Sequence, residues 1–248
     1  MTLFDLTTKA LDFRKNILEK KLHLAPKIYW YPYDTLAVIS QLADTLTDSN
    51  REIFELIKDK PIADIGAADG DLAFFMESVG VESDIIDFSR TNFNQLNGAR
   101  ALKKVLPSSV NIYDLDIDSP FTLPRNDYGL IFFLGILYHL KDPFHALETL
   151  TRHADYCIIN TKITKFTSDR QVNISNFPVA YLLDAGECND DKTNYWIFTE
   201  KCLKLLFDRT GWQVLDFKTF GNTIDSDPAS FPKGDERALC LLKKRRVI

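Results

Sequence analysis

Ile62-Ala63-Asp64-Ile65-Gly66-Ala67-Ala68-Asp69-Gly70-Asp71 is the stretch whose reading decides the fold. A short apolar run ends in a loop with an acid, two glycines and small residues between them. A helical pattern follows. Small residues let a backbone approach a ligand closely, and the N-terminus of the next helix offers unpaired N–H groups. The loop is not GxGxxG, and no Gly-Lys-Ser/Thr follows, which excludes a Walker loop. An ordinary βα turn with glycines at tight positions is the plainer alternative when the segment is taken alone.

Downstream, strand patterns alternate with helical ones. Strands are expected at Ile62–Ile65, Asp84–Asp87, Val110–Tyr113, Tyr128–Leu134 and Tyr156–Asn160, and helices at Leu72–Val79, Thr91–Val105 and Pro143–His153. That alternation marks βαβ units and a parallel sheet. The second strand ends in Asp87, where a carboxylate can accept hydrogen bonds from both hydroxyls of a ribose. Asp87 can equally cap the next helix with Ser89, and the two roles are compatible. Asp114, Asp116 and Asp118 follow the third strand. Asp116 is placed to meet an adenine amine, and three solvated loop acids are the plain alternative.

Residues 1–60 read as helical, with Leu11, Ile17, Leu18 and Leu22 at helical spacing. Asp34 precedes a second run, and Asn50 is placed to cap a third. These residues form an expected N-terminal lid or appendage, and residues 61–248 an expected main domain. Residues 164–198 are polar and irregular, an insertion where open α/β folds place ligands. A helix over Glu200–Thr210 then leads to strands Trp212–Phe220 and Arg237–Lys243. Asp227-Pro228 and Pro232-Lys233-Gly234 mark turns between them. Such a closing pair predicts an antiparallel edge.

Composition narrows the function classes. With 248 residues, 45% hydrophobic, 26% charged and a net charge of −5, the chain reads as globular, and the mild acidity argues against a large nucleic-acid footprint. The longest apolar stretch, Ile131–Leu140, is far short of the ~20 residues that span a bilayer. Neither a membrane span nor a secretory signal is expected, which points to the cytoplasm. Cys157, Cys188, Cys202 and Cys240 lack zinc spacing and read as buried reduced thiols. No HExxH or His/carboxylate cluster argues for a metal.

Asp64-Ile65-Gly66-Ala67-Ala68-Asp69-Gly70 resembles the DxGxGxG first motif of class I S-adenosylmethionine-dependent methyltransferases, departing at Ala68, where that family usually has glycine. The resemblance covers residues 61–163, and the helix–strand–strand tail fits the family's ending. It implies an α/β, Rossmann-like, seven-stranded, mostly parallel sheet with an antiparallel last strand and helices on both faces. It implies S-adenosylmethionine as cofactor, S-adenosylhomocysteine as product, and a soluble enzyme. Asp64 and Gly66 would lie by the methionine part, Asp87 by the ribose and Asp116 by the adenine, with Ala68 and Gly70 as further cofactor contacts. Phe88 and Leu134 complete the expected cofactor contacts.

Phe133-Leu134-Gly135-Ile136-Leu137-Tyr138-His139-Leu140-Lys141-Asp142-Pro143 is similar to the strand-four signature of the subgroup containing the tRNA wobble-uridine carboxymethyltransferase. Asn194-Tyr195-Trp196-Ile197 and Glu236-Arg237-Ala238-Leu239 add to that similarity. The resemblance implies that Tyr138 and Arg237 would grip the extra carboxylate of carboxy-S-adenosylmethionine.

Methyl transfer from a sulfonium is an in-line displacement in which positioning supplies much of the rate. His139 is the candidate base wherever the acceptor must lose a proton, and Tyr138 beside it is the second candidate catalytic residue. A structural histidine bonded to a neighbouring carbonyl is the alternative for His139. The run Tyr29-Trp30-Tyr31-Pro32-Tyr33 offers rings that either stack on a planar acceptor, with Trp30 and Tyr33 foremost, or glue the helical segment to the core. Tyr195 carries the same two readings. The basic end Lys243-Lys244-Arg245-Arg246 is either a phosphate contact or a solvated strand end. The leading expectation is methyl transfer to a small-molecule acceptor. The alternatives are methyl or carboxymethyl transfer to a tRNA nucleobase, and a non-catalytic module that binds the nucleoside ligand.

Overall fold

The computed structural model describes residues 2–24, 27–57, 59–229 and 234–245. Pro232-Lys233 and the basic end from Arg246 onward lie outside the described residues. The chain divides into two compact units: Met1–Phe132 with His153–Tyr156, and Phe133–Arg152 with Cys157–Ile248.

In the first unit, α1 (Leu3–Leu24), α2 (Ala37–Thr45) and α3 (Ile53–Ile57) precede β1 (Ile62–Ile65). Asn50 lies inside a 3-10 turn, Asp48–Arg51, ahead of α3. All four residues of β1 are buried, as a strand covered on both faces requires. Next come α4 (Asp71–Ser78), β2 (Ser83–Asp87), α5 (Asn97–Val105), β3 (Asn111–Asp114) and β4 (Tyr128–Leu134), whose last two residues belong to the second unit. Strands β1, β2 and β3 pair in parallel, Ile65 opposite Ile86 and Asp87 opposite Asp114. Their carboxyl ends therefore share one edge, the edge where α/β sheets hold ligands.

One helix is shorter than its pattern. Thr91–Val105 reads as helical, but α5 starts only at Asn97. Gln95 and Leu96 are left-handed, with φ of 56° and 64°. Asn92 and Asn94 capture the backbone there: Asn92 Oδ1 accepts from the Leu96 amide at 3.0 Å, and Asn94 Oδ1 from the Gly98 amide at 3.0 Å. Asparagine side chains that bond nearby amides compete with the helical ladder.

The unit's core joins Ile17 of α1 to Phe74, Ile85, Leu102 and Val110. At the amino end of β2, the fully buried Asp84 accepts from Arg125 Nε at 2.7 Å, Tyr128 OH at 2.8 Å and Asn111 Nδ2 at 2.9 Å. A buried carboxylate so completely bonded is a structural anchor.

The second unit contains most of β5 (Ala154–Ile163), then β6 (Ala180–Leu182), β7 (Trp196–Phe198), α7 (Glu200–Arg209), β8 (Trp212–Gly221) and β9 (Glu236–Lys244), with α6 (Pro143–Leu150) ahead of them. Asp142 caps α6 by accepting from the His145 amide, with Pro143 in the first turn, and Thr199 caps α7. Strand β9 pairs with β5 on one side and antiparallel with β8 on the other. All seven expected strands are present. The insertion adds two of three residues each: β7 joins β5 in parallel through Ile163 and Phe198, and β6 pairs antiparallel with β7. The architecture is α/β with a mostly parallel sheet. Cys157, Cys188 and Cys240 are buried and free, and Cys202 is half-buried.

Candidate functional site

The glycine-bearing loop leaves β1 in a left-handed conformation repeated along its length. Gly66, Ala68 and Gly70 have φ of 71°, 57° and 82°. Glycine adopts this region freely, and alanine does so at a cost of about 1–2 kcal/mol. Ala68 therefore follows the path of the motif it departs from, under strain. The loop is pinned by the Gly66 amide on Ile86 O at 2.8 Å. Side chain is excluded at Gly70, where a Cβ would stand 2.4 Å from Ile85 Cδ1.

Asp87 accepts from three donors. The Phe88 amide reaches Oδ1 at 2.7 Å, and the Ala68 amide and Asn92 Nδ2 reach Oδ2 at 2.9 and 3.0 Å. A carboxylate has about four lone-pair sites, so one on Oδ1 is left for a ligand hydroxyl. Burial pushes the Asp87 carboxyl up, against the pull of these bonds. Asp64 is more strained electrostatically. It is 3% exposed, its Oδ2 is buried with no hydrogen-bond partner among the described residues, and burial followed by the charge of Asp87 pushes its pKa up to about 8. Two buried acids at one edge, one of them with an unpartnered oxygen and a raised pKa, suit a cationic ligand.

Asp69 is occupied otherwise. Lys21 of α1, itself buried, places Nζ 3.0 Å from Asp69 Oδ2 and 2.8 Å from Asp71 Oδ2. The Tyr31 amide adds a bond to Asp69 Oδ2 at 3.0 Å, and Asn94 Nδ2 one to Oδ1 at 2.8 Å. The N-terminal segment is thus latched to the loop through its own acid. Tyr31 stacks on Phe93 at 4.4 Å and accepts from the Phe93 amide. Trp30 packs against the core cluster under Lys21, whereas Tyr33 is 63% exposed. Asp116 accepts from the Asp118 amide and the Ser119 hydroxyl, an acid engaged in its own turn.

The second unit brings Tyr138, His139 and Arg237 together. Tyr138 is buried, and its hydroxyl accepts from Arg237 Nη2 at 3.4 Å. Arg237 Nε donates to Asn160 Oδ1 at 2.8 Å, and its Nη1 reaches Asp235 at 3.4 Å. Lys162, which sequence reading missed, is buried on β5 and binds Asp235 at 2.9 Å and Cys188 Sγ at 3.0 Å. Its Nζ lies 5.9 Å from the centre of the Tyr138 ring. Lys162 and Arg237 share the Asp235 carboxylate, and Asp191 is a second carboxylate within electrostatic range of Lys162. His139 Nδ1 lies 3.1 Å from Thr193 O, and burial holds the imidazole below its usual range. Tyr195 sits under Lys141, and Leu134 ends β4 beside Gly135. Among the described residues no group of three His, Cys, Asp or Glu side chains is placed to hold a metal, and no helix is long and apolar enough to cross a membrane.

No protein-family model matches the chain. A curated relative, the tRNA U34 carboxymethyltransferase of Helicobacter pylori (strain HPAG1), is 31% identical over 106 residues. That match covers 38% of this chain and 36% of the relative, so the chain spans about a third of the relative's length. It lies in the subgroup that the Phe133–Pro143 segment resembles. Solved structures match more widely. An S-adenosylmethionine-dependent methyltransferase from Mesorhizobium loti aligns over 78% of this chain and 95% of its own, with 12% identity and a TM-score of 0.56. The N-terminal domain of EvdMO1 with SAH bound aligns over 94% and 97%, with 13% identity and a TM-score of 0.55. The cyclase SpnF aligns over 89% and 88%, with 12% identity and a TM-score of 0.57. The chain has the Rossmann-like fold of S-adenosylmethionine-dependent methyltransferases. Because a cyclase shares that fold, the reaction has to be argued from the site.

Proposed function

We propose that the protein transfers a methyl group from S-adenosylmethionine to a small-molecule acceptor by in-line displacement. The observation that carries this reading is the buried, unpartnered Oδ2 of Asp64, a carboxyl within electrostatic range of Asp87, at the mouth of a loop held left-handed at Gly66, Ala68 and Gly70. The donor bears two cations, an ammonium and a sulfonium, and a ribose diol. Asp64 supplies a counter-charge and Asp87 takes one hydroxyl directly; a second would require the Asn92 amide to turn. Phe88, Asp116 and Leu134 complete the proposed donor contacts. His139 is the proposed base, with Tyr138 beside it. Trp30, Tyr33, Tyr195 and Arg237 are the proposed acceptor contacts, and residues 1–60 act as a lid over the donor loop.

The Asp64 pKa sets a test. A folded value near 8 lies above the ordinary carboxyl value of 3.8, so the ligand-free protein binds the extra proton and loses stability as pH rises from about 4 to 8. A cationic donor reverses this by favouring the carboxylate. Binding at pH 7 is expected to release close to one proton, seen as a calorimetric heat that depends on the buffer's ionisation enthalpy. Asp64→Asn should remove that dependence. Buffer-independent heats in the wild type would take Asp64 out of the site.

A second reading, carboxymethyl transfer to a tRNA nucleobase, is favoured by the convergence of Tyr138, Lys162 and Arg237, whose N–H and O–H groups suit an extra carboxylate on the donor. Competition between S-adenosylmethionine and carboxy-S-adenosylmethionine separates the two. The methyl-transfer reading expects no preference for the carboxylated donor. At least tenfold tighter binding of carboxy-S-adenosylmethionine, lost in Arg237→Lys because lysine lacks the two-pronged geometry, would move the assignment to carboxymethyl transfer.

A further inference from the structure

We infer that Asp191 and Thr193 are positioning residues that fix His139 in the tautomer protonated on Nδ1, leaving Nε2 bare as the proton acceptor. The inference rests on the reading of His139 as base and adds what would make it one. The hydrogen bonds of the ring fall on Nδ1, which faces two atoms of one residue, Thr193 O at 3.1 Å and Thr193 Oγ1 at 3.0 Å. The carbonyl oxygen has no proton to give. The hydroxyl has one, and Asp191 Oδ1 stands 2.6 Å from it. The same carboxylate oxygen accepts from the Thr193 amide at 2.9 Å. An ionised carboxylate can only accept, so it claims the hydroxyl proton. Both Thr193 oxygens then face the ring as acceptors, and the proton between them has to be carried by Nδ1. A neutral imidazole has one N–H, which leaves Nε2 with its lone pair.

The charges around the ring support a neutral base. Burial depresses the imidazole most; the bond to the Thr193 backbone and the charge of Asp191 raise it in part, and Lys162 and Arg237 depress it again. The ring lies against the Tyr138 phenol at 4.4 Å, which restricts its rotation. Asp191 itself is held below the ordinary carboxyl range by the Thr193 bonds, against its partial burial, so it is ionised wherever the base would work. A bare Nε2 on a ring held by its other nitrogen is the arrangement a general base needs. The sequence signal is Asp191-Lys192-Thr193, an acid two residues before a hydroxyl, which forms a side-chain-capped turn.

The test is a long-range proton–nitrogen correlation spectrum of the full-length protein labelled with nitrogen-15, which has four histidines, with His139 assigned through His139→Gln. At pH 7.5 the wild type is expected to show a protonated Nδ1 and an unprotonated Nε2. In Asp191→Asn the His139 pKa should fall by about one unit, since an anion near the ring is lost. Thr193→Val, which keeps the carbonyl, should move it in the same direction. A dominant Nε2-protonated ring in the wild type, or an unchanged His139 pKa in both variants, would overturn the inference. The spectrum reads the positioning whatever the acceptor is, whereas transfer activity of His139→Gln reads the base role, so the two can fail separately.

Discussion

Replacing Lys21 with methionine is expected to lower the unfolding free energy by about 3–5 kcal/mol, the usual cost of removing one partner from a buried charge cluster. Lys21 is 8% exposed and is the cation shared by Asp69 and Asp71. Methionine fills a similar volume, so the loss is electrostatic rather than a cavity. Asp71 already has a buried Oδ1 without a partner, and burial pushes its carboxyl up even with Lys21 present. The sign of the pH dependence follows. Without the lysine, folding would favour protonated acids, and an acid whose folded pKa is raised loses stability as pH rises above its unfolded value. The deficit of Lys21→Met is therefore largest at neutral pH and shrinks toward pH 4. Urea unfolding at pH 7.5 and pH 4.5 reads both. Lys21→Arg, which keeps the charge, should recover much of the loss. A neutral-pH deficit under 1 kcal/mol would mean that the latch between α1 and the loop contributes no net stability.

Gly66→Val is expected to reduce S-adenosylhomocysteine affinity more than a hundredfold while costing only about 1–3 kcal/mol of stability. Gly66 sits at φ 71°, a region that a β-branched residue occupies only under strain of this order. Its amide is bonded to Ile86 O, so the loop cannot swing away to relieve that strain. On the proposed reading a branched side chain would also take up space beside the donor. Titration calorimetry and thermal unfolding of the same preparation separate the two effects. Retained affinity in a folded variant would show that the loop does not approach the donor.

Much of the donor half was legible in the sequence because its signals are local. A buried strand, small residues at the turn and a helix after it put Asp64, Gly66, Ala68 and Gly70 on one βα loop, and the second strand puts Asp87 at the same sheet edge; their proposed donor roles come from the family resemblance. What escaped is tertiary. Lys21 meets Asp69 across 48 residues of sequence, and no periodicity within α1 distinguishes it from a solvated lysine. Lys162 had a signal that went unread: Asn160-Thr161-Lys162 continues the buried strand β5, and polar residues inside an apolar strand need partners. Strands β6 and β7 are three residues each, too short to show an alternating pattern. Helix α5 was overextended because its start is governed by the Asn92 and Asn94 side chains, not by helical spacing.

Titration calorimetry of S-adenosylhomocysteine into the wild type and Asp87→Ala decides whether the first unit binds the donor through Asp87. Saturable binding is expected for the wild type. The variant, still folded by circular dichroism, is expected to bind more weakly by about 1.5–3 kcal/mol, the range for hydrogen bonds to a charged group, or roughly one to two decades in Kd. No binding by the wild type, or equal affinity in the folded variant, would contradict that role for Asp87.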